Sequence, residues 1–225
     1  MKIGLFGGTF DPIHWGHLRS AEEVREAFSL DRLLFIPASI PPHKKRQQAT
    51  SVLDRLKMVR LAIAKNPGFA VSDVEILRPG KSYSVDTLRD FARRRRNDSL
   101  YFIVGLDAFR EIGSWKNFQE IFPLCHLIVT SRPGCGDSIS LGDIPVAARR
   151  LFCYDPKKSA YRHESGTHLH FLKLTDFAIS ASEIRARVKE RKSIRYLVPS
   201  EVEAYIKRKG LYRSARRGDN EIDDD

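Results

Sequence analysis

Two histidines near the start of the chain stand where phosphate chemistry could occur. His14 and His17 are three residues apart around Gly16, and a glycine pair, Gly7-Gly8, precedes them. Residues three apart lie on one side of a helix, so both imidazoles can face the same anion. Glycines let the backbone approach a ligand closely, and the start of a helix presents N–H groups and partial positive charge. The pattern predicts a cradle for a triphosphate.

The same stretch differs from two common phosphate-binding loops. It lacks the Gly-Lys-Ser/Thr ending of a P-loop and the three-glycine pattern of a dinucleotide-binding turn. A glycine pair or a lone histidine is more often structural. Here the structural interpretation requires two glycines, Thr9 and two histidines to meet by chance at one strand-to-helix junction, so phosphate binding is favoured.

The elements that must position these residues alternate along the chain. Apolar runs predict strands, and stretches with helical apolar spacing lie between most of them. The predicted strands are 3–6, 33–36, 70–74, 100–104, 127–130 and 169–174, and the predicted helices are 17–28, 51–65, 84–94 and 182–192. This order implies an α/β fold, a mostly parallel sheet with helices on both faces. The polar stretches 134–145 and 155–168 are predicted loops. Ligands of such sheets bind beyond the carboxyl ends of the strands, where the glycine turn lies.

Length and composition narrow the class of protein. The 225 residues, 42% apolar and 30% charged, fit one globular domain, expected over 1–212, with 213–225 as a disordered charged tail. No apolar run nears the roughly 20 residues of a membrane span, and no cleavable signal is recognisable. Three cysteines without a Cys-x-x-Cys pair predict a reducing, cytoplasmic setting. The net charge of +11 favours polyanionic partners, either nucleic acid or phosphorylated small molecules.

Residues 7–17 resemble the signature of the nucleotidyltransferase superfamily that carries the His-x-Gly-His motif. Within it, residues 2 to 212 resemble the bacterial nicotinate-nucleotide adenylyltransferases. The resemblance implies an open, Rossmann-like sheet. It also implies adenylyl transfer from ATP to nicotinate mononucleotide, giving deamido-NAD and pyrophosphate. Gly8, Thr9 and Phe10 are then expected to bind ATP beside the two histidines, and Thr9 to contact nicotinate mononucleotide as well.

A second phosphate-binding segment is predicted at 180–185, Ser-Ala-Ser-Glu-Ile-Arg. Ser180 and Glu183 match a capping box, so spacing alone fits a capped helix and an anion site equally well. The family's Ile-Ser-Ser-Thr-x-Ile-Arg motif resembles this segment, although Ala181 replaces a serine and Ser182 replaces the threonine. The resemblance favours phosphate contact by Ser180, Ser182 and Arg185.

Four residues after predicted strands are further candidates. Lys44, in a Pro-Pro-His-Lys turn, belongs to a rigid basic surface loop or, as a similar family segment implies, contacts phosphate and binds nicotinate mononucleotide. Gly105 and Asp107 follow the fourth strand, where the carboxylate can accept from ribose hydroxyls or cap a helix. The family's Gly-x-Asp is similar. Arg132 is a candidate for ATP contact.

The acceptor pocket is predicted from the resemblance. Capping by Ser82 or Ser84 is the plain explanation of the Ser-Tyr-Ser stretch that opens a helix. The family implies that Tyr83 and Ser84, which stands where threonine is commoner, hold nicotinate mononucleotide. Trp115 is either core or an indole stacked on the pyridine ring. Catalysis is assigned to five residues and to Mg²⁺ bound to ATP rather than to protein ligands; the five are His14, His17, Lys44, Ser182 and Arg185.

Two alternatives stay open. Another adenylyltransferase with the same first motif, such as a pantetheine-phosphate adenylyltransferase, would share the cradle. A basic nucleic-acid-binding protein would use the positive charge, above all the run 93–96 of four arginines. Consecutive helical residues point around the axis, however, and cations suit a helix C-terminus, so a solvated helix end is favoured. Neither nucleic acid nor membrane is expected as a partner, and a homo-oligomer is left open.

Overall fold

A computed structural model describes residues 1–40, 50–131 and 140–213. One sheet within these ranges has the strand order β3-β2-β1-β4-β5-β8-β7-β6. Its strands are β1 (Lys2–Gly8), β2 (Arg32–Pro37), β3 (Phe69–Val71), β4 (Ser99–Gly105), β5 (His126–Thr130), β6 (Phe152–Asp155), β7 (Ala160–His163) and β8 (His168–Leu172). All neighbours from β3 to β8 are parallel, whereas β7 and β6 are antiparallel to theirs. The predicted α/β class, with a mostly parallel sheet, is confirmed.

Helices cover both faces of the sheet. They are α1 (Trp15–Ala27), α2 (Val52–Ile63), α3 (Val74–Leu77), α4 (Ser84–Arg94), α5 (Leu106–Arg110), α6 (Ile121–Leu124), α7 (Val146–Arg149), α8 (Ala181–Lys189) and α9 (Ser200–Lys209). The four predicted helices correspond to α1, α2, α4 and α8. None of the helices in the described ranges is long and apolar enough to cross a bilayer.

Alternating side chains of the central strands build two apolar cores. Leu5 of β1 and Phe102 of β4 pack on one face together with α4, α5 and α6. Ile103 of β4 and Ile128 of β5 pack on the other face with α1, α2, α8 and α9. Strands that are buried on both faces are apolar nearly throughout, which is why they were recognisable as continuous runs. The two cores hold the strand ends in fixed positions.

The strand order changes direction at β1, which lies between β2 and β4. On the two sides of such a point the helix connections run to opposite faces of the sheet. A crevice therefore opens at the carboxyl ends of the strands that meet there, here β1 and β4. Gly8 ends β1 and Gly105 ends β4, so both line this crevice. The fold therefore places the glycine turn where a parallel sheet binds ligands.

Two predictions about elements were wrong. The predicted loop 155–168 contains β7, which forms an antiparallel hairpin with β6. Its strands mix buried and exposed residues over four positions each, too short for a clear alternation. The strand predicted at 70–74 ends at Val71, and Val74 begins α3. Apart from Arg213, the predicted tail 213–225 lies outside the described residues, as does 134–139 of the other predicted loop.

Candidate active site

Close packing shapes the glycine turn after β1. Phe10 has a positive φ of 49° and is only 2% exposed. A Cβ on Gly8 would lie 2.8 Å from the Phe10 ring, so a side chain at this position would displace that ring. Gly7 has more room, since its Cβ would lie 3.9 Å from Phe102. The ring of Phe10 thus belongs to the core, and its backbone and that of Thr9 form the turn.

The two histidines meet at the start of α1. Their rings stack with centroids 3.7 Å apart and planes 29° apart. The backbone N–H of His14 donates to Nδ1 of His17 at 3.3 Å. The neutral His17 ring therefore carries its proton on Nε2, which makes that atom a donor. A Cβ on Gly16 would lie 3.1 Å from Nδ1 of His14, so the glycine lets this ring lie against the backbone.

The start of α8 lies against the start of α1. Ser180 caps α8 by accepting from the N–H of Glu183 at 3.1 Å, as its spacing predicted. The Ser182 hydroxyl lies 3.1 Å from that of Ser180. Arg185 donates from Nη1 to the carbonyl of Asp11 at 2.7 Å. The carbonyl of Ile179 would lie 3.7 Å from a Cβ on Gly16. The two motifs, far apart in the chain, thus form one surface with two helix N-termini.

A buried arginine, which the sequence analysis missed, donates hydrogen bonds to the backbone of the glycine turn and of neighbouring segments. Arg55 of α2 is 1% exposed and donates to the carbonyls of Thr9 at 2.6 Å, Ala38 at 2.7 Å, Thr50 at 3.1 Å and Ser39 at 3.2 Å. Burial lowers the pKa of Arg55, and the nearby negative charge of Asp11 opposes this. The guanidinium stays charged at neutral pH. It ties the glycine turn to the segment after β2.

Asp11 is a second supporting residue that the sequence analysis left without a role. Its buried carboxylate accepts from the Tyr212 hydroxyl at 2.7 Å and from the N–H of Thr50 at 3.2 Å. Burial and the charge of Asp11 raise the pKa of Tyr212, so the phenol stays protonated. Only tertiary contact could reveal this bond, because 201 residues separate its partners.

A cavity of about 300 Å³ opens beside the glycine turn. Six residues predicted for the substrate sites line it: Gly8, Thr9, Tyr83, Ser84, Gly105 and Trp115. Trp115 is partly buried and meets Phe102 edge to face, with centroids 6.4 Å apart, so it belongs to both core and cavity wall. Lys116, which the sequence analysis missed, lines the cavity with its Nζ 4.7 Å from the Tyr83 ring centre and 2.9 Å from Asp86.

A buried carboxyl group lies in the same cavity wall. Glu75 is 8% exposed and accepts from the Thr87 hydroxyl at 2.8 Å, which in turn accepts from Arg78 at 3.0 Å. Burial raises the pKa of Glu75, although hydrogen bonds from Thr87 and Ser82 and the charge of Arg78 oppose this. The wall of the cavity is therefore held by a polar network within the core.

Two capping interpretations were wrong. Tyr83 is the N-cap of α4, and no side chain caps that helix. Ser82 instead accepts from the N–H of Ser39 at 3.0 Å, because this tertiary contact fixes its hydroxyl. Gly105 is the N-cap of α5, so Asp107 does not cap this helix. Asp107 is instead the second residue of α5 and is exposed. Asp107 remains at the carboxyl end of β4. Lys44 and Arg132 lie outside the described residues.

The arginine run lies away from the crevice. Arg94, Arg95 and Arg96 line a separate groove of about 660 Å³, together with Arg32 at the start of β2 and Asp98 just before β4. Arg93 and Arg94 both bond to Asp90, at 2.9 Å and 3.0 Å, and Arg95 bonds to Asp98 at 3.1 Å. These ion pairs offset the positive charge of the groove, which favours the solvated helix end over an anion site.

Comparisons with known proteins agree with this geometry. A model of the cytidylyltransferase-like family matches residues 5–187. A "probable nicotinate-nucleotide adenylyltransferase" from Syntrophotalea carbinolica is 51% identical over 219 residues, covering 96% of this chain and 100% of the relative. One of the same description from Citrifermentans bemidjiense is 49% identical with the same coverage. The nicotinic acid mononucleotide adenylyltransferase of Plasmodium falciparum, solved with NaAD, shares the fold. Its TM-score is 0.73 and its identity 18%, over 94% of this chain and 97% of that one.

Proposed function

Because the chain belongs to the cytidylyltransferase-like family and to its nicotinate-nucleotide adenylyltransferases, we propose that it makes deamido-NAD and pyrophosphate from ATP and nicotinate mononucleotide. In this reaction the 5′-phosphate of the acceptor attacks the α-phosphorus of ATP in line, and pyrophosphate leaves. Both reactants are already charged, so the protein needs no covalent nucleophile. Positioning and charge stabilisation are the contributions left to its residues.

The meeting of two helix N-termini at the glycine turn carries this proposal. Positive helix ends and N–H donors from α1 and α8 converge on one surface, which suits a chain of phosphates. His14 and His17 donate to the phosphates from α1, while Ser182 and Arg185 do so from α8. Arg185 donates one N–H to the backbone carbonyl of Asp11, and its remaining N–H donors are assigned to the leaving pyrophosphate. Ser180, Gly105, Asp107 and Arg132 are assigned to ATP, and Lys44 is assigned to catalysis and to nicotinate mononucleotide.

The cavity beside the turn is assigned to the acceptor. Trp115 forms an aromatic wall on which a pyridine ring can stack, and Tyr83 and Ser84 stand at the start of α4. The Lys116 ammonium at the cavity edge offers a positive charge to the nicotinate carboxylate. A carboxylate acceptor is favoured over an amide because buried donors and a cation gain more from a negative charge.

Magnesium is assigned to the phosphates of ATP. The residues at the turn present imidazole nitrogens, hydroxyls and N–H groups, which suit phosphate oxygens rather than Mg²⁺. The turn's own carboxylate, Asp11, is buried and bonded to Tyr212 and Thr50. Bound to ATP, the ion would neutralise charge on the pyrophosphate as it leaves. A cytoplasmic location is proposed because Cys125 and Cys153 are both free thiols.

A labelling experiment tests the reaction class. ATP labelled at its α-phosphate is incubated with the chain, Mg²⁺ and nicotinate mononucleotide, and the products are separated. We expect the label in the dinucleotide and unlabelled pyrophosphate in equal amount. Label that stays in ADP would show transfer of the terminal phosphate instead and would contradict the proposal.

A further inference from the structure

Three histidines lie together near the amino ends of β5 and β8, whereas the glycine turn lies at the carboxyl end of β1. His168 and His170 are two residues apart on β8, so they share one face of the strand. His126 begins β5, and the pairing of Leu127 with Leu169 sets it beside His168 on that face. One ring nitrogen from each histidine lies within 4.8 Å of the other two. Over the part of the chain that the structure describes, this is the one such group of potential metal ligands.

The central histidine of this cluster is buried without a hydrogen bond to its ring. His168 is 6% exposed, and neither of its ring nitrogens has a hydrogen-bond partner among the described residues. The nearest carboxylate oxygen, of Asp155, lies 3.6 Å from Nε2. Leaving a buried polar atom unpaired is unfavourable, so a ligand that binds the ring nitrogens would stabilise the fold.

Burial disfavours the protonated form of all three rings. Burial lowers the pKa of His126 and of His170 to about 4, and the charge of Lys158 adds to the effect. Burial also lowers the pKa of His168, which Asp155 opposes. Imidazole binds metal ions in its neutral form, which is also the form that burial favours.

We propose that His126, His168 and His170 bind one divalent transition-metal ion of the kind that prefers imidazole, such as Zn²⁺. Two histidines at alternate positions of one strand and a third on the neighbouring strand supply three ligands, and water can take the fourth position. Asp155 is the outer partner that would orient the His168 ring. The ion differs in class from the Mg²⁺ assigned to ATP and stabilises the fold rather than acting on substrates.

Binding requires a local rearrangement. Tetrahedral zinc with bonds of about 2.1 Å needs ligand nitrogens about 3.4 Å apart, so the rings must move together. The backbone N–H of His168 donates to Nδ1 of His126 at 3.0 Å. An ion that takes this lone pair replaces that hydrogen bond. Lys2 and Lys158 also place positive charge nearby. The net affinity is therefore expected to fall below that of a preformed site.

Direct metal binding tests the proposal. The full chain without a histidine tag is dialysed against Zn²⁺ and its metal content and unfolding temperature are measured. We expect one ion per chain, a raised unfolding temperature, and affinity lower by more than about tenfold in His126→Gln and His170→Gln. The matched control is His163→Gln, a buried histidine outside the cluster, which should retain the ion. Absence of zinc, or equal affinity in His170→Gln, would overturn the proposal.

Cobalt gives a second measurement that needs no variant. Co²⁺ added to the unaltered chain is expected to show the intense visible absorption of a four-coordinate site with nitrogen ligands. The weak spectrum of the hexa-aqua ion, unchanged by the protein, would contradict the site. Far-UV circular dichroism of each variant separates loss of ligand from loss of fold.

Discussion

His17 is held by its neighbours before any substrate arrives. It stacks on His14, accepts from the backbone N–H of His14, and meets the buried Phe10 ring edge to face at 5.1 Å. These contacts fix both the position of the ring and the nitrogen that carries its proton. A donor fixed in this way stabilises developing charge without first reorganising, which is the largest contribution expected from a site of this kind.

Replacement of His17 tests that contribution. His17→Ala is expected to lower kcat about 100-fold, the effect of removing one fixed donor to a transition-state oxygen. Its unfolding temperature should change little. Steady-state release of pyrophosphate measures the rate, and His163→Ala, outside the site, is the control. A kcat equal to that of the parent chain would remove His17 from the catalytic group.

Trp115 has two roles that kinetics can separate. Since it lines the cavity assigned to the acceptor, Trp115→Ala should raise the KM for nicotinate mononucleotide more than the KM for ATP. Trp115→Phe keeps an aromatic face and should recover part of the loss. Equal rises in the two KM values would mean that Trp115 only fills the core against Phe102.

Glu75 predicts a pH dependence of stability. Its pKa is raised above 4.5 by burial, so the folded state holds the proton more tightly than the unfolded state. The free energy of unfolding therefore falls as pH rises through the window from 4.5 to the raised pKa. Glu75→Gln keeps an oxygen that can accept from the Thr87 hydroxyl, but its amide group does not titrate. Urea unfolding of both proteins should show the variant gaining relative stability with rising pH; a constant difference would contradict this.

At the scale of elements, α2 anchors the site although none of its residues is assigned to substrate. Arg55 reaches from α2 to carbonyls that follow two neighbouring strands, that of Thr9 after β1 and that of Ala38 after β2. The residues that carry these carbonyls are partly buried, and Arg55 supplies the carbonyls with donors. A single side chain thus connects the glycine turn after β1 to the segment after β2.

Loss of this connection should cost stability and activity together. Arg55→Met leaves several partly buried carbonyls without this donor, and we expect the free energy of unfolding in urea to fall by about 3 kcal/mol. Arg55→Lys should recover little, because an ammonium cannot span the same carbonyls. Arg60→Met, exposed on the same helix, should change stability by less than about 0.5 kcal/mol. Similar losses for Arg55→Met and Arg60→Met would refute the anchoring role.

Elements with a strong periodic signal could be predicted from the sequence. The central strands are buried on both faces, and α1, α2, α4 and α8 carry apolar stripes, so both kinds of element were recognised. The β6–β7 hairpin lacks such a pattern, and α9 was not recognised although Val202, Tyr205 and Ile206 form its buried face. In the candidate site, the local motifs were visible, but Arg55 and Tyr212 act through partners distant in sequence. Such residues carry no local signal.

At the level of the whole molecule, two segments that are distant in sequence contact Asp11 near the start of the chain. Arg185 bonds to the carbonyl of Asp11, and Tyr212 bonds to its carboxylate. The proposed phosphate site is therefore complete only when α8 and the segment after α9 have packed against the start of the chain. The histidine cluster lies near the amino ends of β5 and β8, at the other end of the strands from the glycine turn. The proposed metal binding and adenylyl transfer are therefore expected to be separable functions of one fold.

The most direct test of the central claim compares acceptors. Pyrophosphate release from ATP and Mg²⁺ is measured with nicotinate mononucleotide, nicotinamide mononucleotide and phosphopantetheine at equal concentrations. We expect the highest kcat/KM for the nicotinate acid, because Lys116 and the start of α4 favour its carboxylate. Turnover with phosphopantetheine alone would leave the phosphate cradle intact and would contradict the assignment of the cavity and its acceptor.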